Sequence, residues 1–400
     1  MSWTLPFIPA DFRFAARQAQ LRVRLQQLIS GWLLGKRAGG LPGSALRSVE
    51  EVWHWPSIQA HVRQQRLVYP AQVATWQYSP ELPPSFRRAK VLDACHAYQL
   101  HDVCVSANSG MVWFPDAPYI LAESVGCTHR LMGWGGQLPE LLQPAAPLAL
   151  PGPAVAYPGG PFFHWLFEAL PQALVALEQA PEATLLVPAR LPVYAEQALR
   201  LYLGEANWNS RVVRTSGPVR VRELWMVSKD PMSGVVAPEL LHLLRRTFLP
   251  SRQLAEGTLD VYISRCRTPN RSTPGEAALE HALREQGYQI VYCEELGFAQ
   301  QVQLFSRART LVALHGAGLS NMIWAPEQLQ VLEIFPADYL NDCYARLARS
   351  LDFGYRAFLA PDNSSTTTSL PVAAILEWLR PRPLAYSPPE PARQASAELA

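Results

Sequence analysis

The sequence predicts an α/β protein in which a doubly wound parallel sheet forms the C-terminal half. Between residues 260 and 360, short apolar runs rich in branched side chains alternate with stretches of helical periodicity. Regular β-α-β crossovers of this kind give an open parallel sheet. A similar alternation over residues 157–227 predicts a partly parallel sheet covered by helices. Short β-like runs separated by turn residues make the portion from about 50 to 150 rich in strands.

Length and composition indicate a globular protein of two domains. The chain has 400 residues, of which 49% are apolar and 17% are charged. The net charge of +2 gives no basic face for nucleic acid, so no nucleic-acid partner is expected. The predicted organisation is a basic amphipathic segment (1–45), an N-terminal domain (46–250), a C-terminal domain (251–385) and a disordered tail (386–400).

The cysteines do not form the pattern of a metal site or a disulfide framework. Six are present without a Cys-x-x-Cys or a Cys/His ligand spacing, and a chain this long can bury a core without disulfides. The N-terminus lacks the apolar run of a signal peptide, and no run of about 18 apolar residues occurs. We therefore expect a reducing, cytosolic compartment.

The first segment combines basic and apolar residues at roughly helical spacing. Residues 12–37 contain six Lys or Arg and no acidic residue. A basic amphipathic helix of this kind lies in the headgroup region of an anionic bilayer, or packs on its own domain with a solvated basic face. The sequence leaves both interpretations open.

A Pro-Gly-Gly-Pro loop at residues 158–161 leads into a helix that carries a polar stripe. His164 and Glu168 are spaced i, i+4 on an otherwise apolar helix. The glutamate could accept a hydrogen bond from the imidazole and raise its basicity, as a general base requires. The alternative is a half-buried histidine satisfied by its neighbour.

The C-terminal half is the more regular. Strands are expected at 260–264, 288–292, 310–314, 331–335 and 354–360. Helices are expected from a Thr273 cap with Pro274 at the first position to Gly287, and at 298–308, 341–351 and 372–379.

The most informative stretch runs from Leu311 to Asn321. A buried strand meets a helix through His315-Gly316-Ala317-Gly318, and the helix is expected to stop at Pro326. Backbone N–H groups at the start of such a helix suit an anion, most often a phosphate. The same residue pattern also occurs in ordinary tight turns.

Polar residues follow several of the predicted strands, where parallel α/β sheets bind ligands. The guanidinium of Arg265 or Arg271 could donate two parallel hydrogen bonds to phosphate oxygens. Glu333 could accept hydrogen bonds from ribose hydroxyls. No Asp-x-Asp occurs, so a carboxylate-bound metal is not expected. Gly-x-Gly-x-x-Gly is also absent, which disfavours a dehydrogenase.

These motifs in order resemble glycosyltransferase family 61. The resemblance rests on Phe163–Pro171, Val261–Arg265 with Arg271, Glu294–Val302, His315–Asn321 and Val331–Phe335. It implies a GT-B-like architecture of two Rossmann-like domains and inverting, metal-independent transfer from a nucleotide sugar, with no cofactor.

The resemblance also implies roles for individual residues. Arg265 and the turn from His315 to Gly318 would contact the donor diphosphate, and Glu333 the ribose. Phe298 and Gln301 would flank the nucleotide, and Asn321 belongs to the same donor motif. The chain departs from the usual pattern at Gly275-Glu276, where family members commonly have Asn-Glu. The base is not fixed by the resemblance; His164, oriented by Glu168, is the hypothesis.

The predicted function is therefore transfer of a sugar to a hydroxyl of a surface-polysaccharide precursor (capsule, exopolysaccharide or lipopolysaccharide). The expected acceptor is a glycan or a lipid-linked glycan. The enzyme would be bacterial and cytoplasmic, in peripheral contact with the anionic inner face of the cytoplasmic membrane. A nucleotide-sugar epimerase and a non-catalytic scaffold in polysaccharide assembly are the alternatives.

Overall fold

The protein is described by a computed structural model. The described residues are 46–47, 59–74, 86, 90–115, 120–124, 144–229, 234–249, 256–267, 273–335, 340–360 and 369–380. The predicted basic segment and C-terminal tail lie outside these ranges, and so does Arg271.

The first sheet contains ten described strands: Leu46–Arg47 (β1), Val62–Tyr69 (β2), Cys95–Val105 (β5), Val112–Trp113 (β6), Ile120–Leu121 (β7), Ala146–Pro147 (β8), Ala154–Ala156 (β9), Thr184–Pro188 (β10), Val212–Thr215 (β11) and Val219–Val227 (β12). Two further strands, Gln72–Ala74 (β3) and Lys90–Leu92 (β4), pair separately. The order in the sheet is β1-β7-β6-β5-β12-β9-β10-β11, with β2 also paired to β5 and β8 to β12. Strands β12, β9, β10 and β11 are parallel, whereas β5 is antiparallel to β12. The expected strand-rich portion and partly parallel sheet are therefore both present.

The second sheet is fully parallel, as the sequence predicts. Its strands are Leu259–Ile263 (β13), Gln289–Val291 (β14), Ala308–Leu314 (β15), Gln330–Phe335 (β16) and Gly354–Leu359 (β17). Their order in the sheet is β14-β13-β15-β16-β17, which is that of a doubly wound sheet. Its buried centre consists of near-continuous apolar runs, because helices cover both faces.

Helices connect the parallel strands. Segment α1 is continuous, with an α-helical turn Phe162–His164, a π-helical turn Trp165–Ala169 and an α-helix Leu170–Gln179. The other α-helices are Val193–Arg211 (α2), Pro238–Phe248 (α3), Glu276–Glu285 (α4), Phe298–Phe305 (α5), Cys343–Ser350 (α6) and Val372–Leu379 (α7). None of the helices in the described part of the chain is long and apolar enough to cross a bilayer.

One hydrophobic cluster includes residues from both sheets and their helices. At its centre Phe298 makes edge-to-face contacts with Trp165, Phe248 and Trp324, at ring-centroid distances of 5.7, 5.1 and 5.7 Å. Such aromatic pairs add to the free energy gained from burying large apolar surfaces. The halves carrying α1 and β15 therefore share a core.

Two local predictions differ from the structure. Helix α4 begins at Glu276, after Gly275, and not at Pro274 after a Thr273 cap, because Gly275 has a left-handed backbone (φ 84°) that interrupts the chain before the helix. A Cβ at Gly275 would lie 2.8 Å from the backbone nitrogen of Leu370. The segment after Gly316 is a 3₁₀ helix, Ala317–Trp324, in which the six residues from Leu319 onward are buried.

Candidate active site

The order of the second sheet indicates where a ligand would bind. The chain leaves β13 toward β14 on one side and returns to β15 on the other, so the direction of winding reverses between β13 and β15. In doubly wound sheets the crevice for a ligand opens at the carboxyl ends of the two strands that flank this reversal. Arg265 follows β13 and His315 follows β15. The two predicted residues therefore lie at this crevice.

Arg265 and the turn after β15 are in direct contact. Its Nη1 donates a hydrogen bond to the carbonyl oxygen of His315 at 2.6 Å. A Cβ added to Gly316 would lie 3.6 Å from Cδ and Nη1 of Arg265. A guanidinium thus lies beside the backbone of the glycine turn, as the sequence predicts.

The residues of the turn are more exposed than the helix residues that follow them. Ala317 is exposed, while His315, Gly316 and Gly318 are half-buried. The first N–H groups of a helix have no acceptor within that helix and are available to an anion. A Cβ at Gly318 would lie 2.8 Å from Cγ2 of Ile263, so close packing against β13 requires glycine there.

Glu333 lies within β16, near its carboxyl end and beside this turn, and has no exposed surface. One of its oxygens pairs with Nδ1 of His315, and the other accepts a hydrogen bond from the hydroxyl of Tyr355 at 2.5 Å. Both oxygens that would meet ribose hydroxyls are therefore engaged within the protein.

Three other residues predicted to bind the nucleotide sugar lie in the core next to the turn. Phe298 and Asn321 are fully buried and Gln301 is 5% exposed. Asn321 donates to Oε1 of Gln301 at 2.8 Å and to the carbonyl oxygen of Gly318 at 3.2 Å. Gln301 in turn donates to the carbonyl oxygens of Cys293 and Leu296, both at 3.1 Å. These contacts fix the start of the 3₁₀ helix from inside the core.

A buried acid holds the loop that carries Arg265. Glu276 accepts a hydrogen bond from the backbone N–H of Arg265 at 2.7 Å and from the hydroxyl of Tyr262 at 3.1 Å. Burial raises the pKa of Glu276, although these hydrogen bonds oppose the shift. Glu276 does not stand out in the sequence, because a glutamate at the start of a helix is common for electrostatic reasons alone.

His164 and Glu168 form the expected pair on α1. Nδ1 of His164 lies 2.7 Å from Oε1 of Glu168, and about a quarter of each side chain is exposed. This hydrogen bond raises the pKa of His164, and burial opposes the rise. The pair spans a π-helical turn, a local distortion that is frequent at functional sites.

Two aromatic rings connect the pair with the glycine turn. Phe163 contacts His164 and Tyr344 at centroid distances of 5.5 and 5.6 Å, and Tyr344 contacts His315 at 5.3 Å. A series of ring contacts therefore connects His164 with His315, which come from different halves of the chain. No sequence signal indicated Tyr344, because its role depends on how α6 packs.

Lys229 is a further residue that the sequence did not reveal. It follows β12 and donates a hydrogen bond to the carbonyl oxygen of Ser109 at 3.0 Å. Burial lowers the pKa of Lys229 to about 8, and the nearby Glu168 partly offsets this shift. The position of Lys229 just after the end of a strand is the feature of the sequence that could have indicated it. Within the described ranges, no three His, Cys, Asp or Glu side chains are arranged to hold a metal ion.

Comparison with known proteins relates this site to an enzyme family. Residues 162–332 match the family model described as Glycosyltransferase 61. The chain is also 30% identical over 122 residues to the EGF domain-specific O-linked N-acetylglucosamine transferase of Drosophila melanogaster, an alignment that covers 30% of this chain and 22% of the fly protein. The matched region contains His164, Glu168, Arg265 and the turn after β15. Over residues 162–332 the chain is therefore similar to glycosyltransferase family 61, and this similarity supports a transferase enzyme.

Proposed function

We propose that the protein transfers a sugar from a nucleotide-sugar donor to a hydroxyl group, with inversion and without a metal ion. The observation that carries this proposal is the contact between Arg265 and the turn at Gly316, at the strand pair where the sheet reverses direction. A guanidinium and helix-terminal amides together suit a diphosphate.

On the donor side, negative charge grows on the diphosphate as its bond to the anomeric carbon breaks. Arg265 and the amides of the turn would stabilise that charge, and because they are already in place, little reorganisation is required. The family match supports a nucleotide-sugar donor in general terms. The relative's name makes N-acetylglucosamine the first sugar to test.

On the acceptor side, His164 would remove the proton of the incoming hydroxyl. Its oxygen then forms the new bond to the anomeric carbon while the diphosphate leaves from the opposite face, which inverts the configuration. Glu168 would hold Nδ1 and stabilise the protonated ring, as the carboxylate does in other His-containing catalytic pairs.

A thermal-shift comparison tests the donor site. We expect UDP-, GDP- and dTDP-sugars to raise the Tm of the wild-type protein more than CMP-sugars, because CMP-sugars have one phosphate only. Arg265→Ala should lose this shift, while Arg309→Ala, an exposed arginine paired with Asp260 at the opposite edge of the sheet, should keep it. Equal shifts for all four classes in both variants would contradict a diphosphate site.

Turnover assays separate the proposed activity from its alternatives. A labelled sugar nucleotide should release its nucleoside diphosphate faster when an oligosaccharide acceptor is added, and chelation with EDTA should not slow this release. Conversion of the donor to another sugar nucleotide without acceptor would identify an epimerase. A scaffold would show no turnover, and His164→Ala would leave the cellular glycan unchanged.

We also propose a bacterial surface-polysaccharide precursor as acceptor and peripheral contact with the inner face of the cytoplasmic membrane. The support for membrane contact is the basic and apolar composition of residues 12–37, which lie outside the described residues. Flotation with anionic vesicles tests it: the full chain should float and a chain lacking residues 1–40 should not. Flotation of both chains would exclude this segment as the anchor.

A further inference from the structure

Glu333 is a fully buried carboxylate at the edge of the sheet where the donor is expected. The sequence assigned it to the ribose of the nucleotide. Its oxygens instead pair with His315 and Tyr355. Because Glu333 has no exposed surface, a ribose could reach it only if the packing around it opened, and a buried acid that loses its partners costs several kcal/mol.

His315 is held on several sides. Its Nδ1 faces Glu333, its ring stacks on Phe335 at 5.3 Å and 26°, and it also contacts Tyr344. Its backbone N–H donates to the carbonyl oxygen of Ile334 at 2.9 Å. Only 12% of the side chain is exposed. Because the two ring nitrogens lie on different sides of the imidazole, fixing Nδ1 on Glu333 also fixes the direction of Nε2.

The same residue connects to the phosphate-binding group. The carbonyl oxygen of His315 accepts a hydrogen bond from Arg265, so ring and guanidinium belong to one rigid arrangement. Burial raises the pKa of Glu333, and its hydrogen bonds with His315 and Tyr355 act in the opposite direction. A carboxylate in this place orients a histidine and stabilises positive charge on its ring, as in other His–carboxylate pairs at catalytic centres.

We propose that Glu333, supported by Tyr355, is a positioning residue that holds His315 with Nδ1–H toward the carboxylate and Nε2–H toward a donor diphosphate oxygen. This inference rests on the proposed function. The N–H at Nε2 donates a hydrogen bond that strengthens as negative charge grows on the leaving diphosphate. The ribose then needs another partner.

Ring ¹⁵N spectra of histidine-labelled protein test the pairing without any assay of activity, with His315→Asn to identify the signals. In the wild-type protein we expect a proton on Nδ1 of His315, and on addition of inorganic pyrophosphate a proton on Nε2 as well. Glu333→Gln should lose the second proton, because the amide carries no charge. Asp260→Asn replaces a carboxylate at the other end of the same sheet and should leave the spectra unchanged. A bare Nδ1 in the wild-type protein, or identical spectra in Glu333→Gln, would overturn the proposal.

Binding and kinetics distinguish positioning from ribose contact. Glu333→Gln should weaken pyrophosphate binding and lower kcat on the order of 100-fold, while the affinity for uridine or guanosine stays within about threefold. Tyr355→Phe, which keeps the pair between Glu333 and His315, should show a smaller loss in the same direction. Weaker nucleoside binding with unchanged pyrophosphate binding would instead identify a ribose contact. If pyrophosphate does not bind the wild-type protein, the proposed function fails, and the proton on Nδ1 still reports on the pairing.

Discussion

Arg265 donates a hydrogen bond from Nη1 to the carbonyl oxygen of His315, 2.6 Å away, across the point where the sheet reverses its winding. The contact joins the loop after β13 to the turn after β15. The arginine is thereby oriented before any ligand arrives, which lowers the entropic cost of binding an anion.

Replacing Arg265 should weaken donor binding with little effect on folding. A hydrogen bond to a charged group contributes about 1.5–3 kcal/mol, so Arg265→Ala should raise the Kd for a nucleotide sugar roughly 10- to 100-fold. Arg265→Lys should recover only part of this, because lysine lacks the planar fork. Isothermal titration provides the Kd. An affinity equal to that of wild type would remove Arg265 from the site.

The two glycines of the turn should respond differently to a methyl group. Gly316 has an extended backbone (φ 172°), and its added Cβ would make an ordinary contact of 3.6 Å, so Gly316→Ala should keep the wild-type Tm and lose donor binding. Gly318→Ala would place Cβ 2.8 Å from Ile263, and should cost about 1–3 kcal/mol of stability. Thermal melts with and without donor distinguish these outcomes. A low Tm for Gly316→Ala with normal donor binding would assign that glycine to folding alone.

The parallel sheet and the cluster at its edge could be predicted because both follow from short-range pattern. Apolar runs mark β13, β15 and β16; Arg265 and His315 follow the first two runs, and Glu333 lies within the third, near its carboxyl end. The spacing of His164 and Glu168 likewise requires only a helix. The last strand and helix, β17 and α7, also agree with the prediction, because each is bounded by clear turn residues.

The partners of Glu333 could not be predicted, because they depend on tertiary packing. His315 and Tyr355 lie 18 and 22 residues away, and nothing in their spacing shows that they share one carboxylate. The inward direction of Phe298 and Gln301 was hidden for the same reason. A helix at a strand end presents one face to the crevice and one to the core, and only the packed structure decides which.

Glu276 should make stability depend on pH. Burial raises its pKa in the folded state above the ordinary value of 4.5, so the folded protein binds more protons than the unfolded chain and loses stability as pH rises through this range. Glu276→Gln removes this loss and keeps an acceptor for the N–H of Arg265. We expect it to raise the Tm at pH 8 relative to wild type, by more than at pH 4. Glu285→Gln, an exposed position on the same helix, should show no such dependence. A Tm difference that is the same at both pH values would contradict this assignment.

The pair of His164 and Glu168 should determine the acid limb of the pH–rate profile, where activity rises with pH. A general base works when neutral, and the pKa of His164 is raised above 6.5 chiefly by its hydrogen bond to Glu168. The kcat/KM for transfer should therefore rise with pH through a pKa above this value. Glu168→Gln should shift that limb to lower pH and reduce the maximal rate about 10-fold, because the ring is less well oriented.

Stability provides a second, independent measurement of the same pair. Because the folded pKa is raised, the pair stabilises the protein fully below pH 6.5 and loses this contribution as pH rises through the folded pKa. The Tm difference between wild type and Glu168→Gln should therefore shrink at high pH. His281 and Glu285 form an exposed pair with the same spacing on α4, at 3.3 Å, so Glu285→Gln is the matched control and should leave the pH–rate profile unchanged. An acid limb that stays in place in Glu168→Gln, with the Tm difference confined to low pH, would show that the pair is structural and that another group is the base.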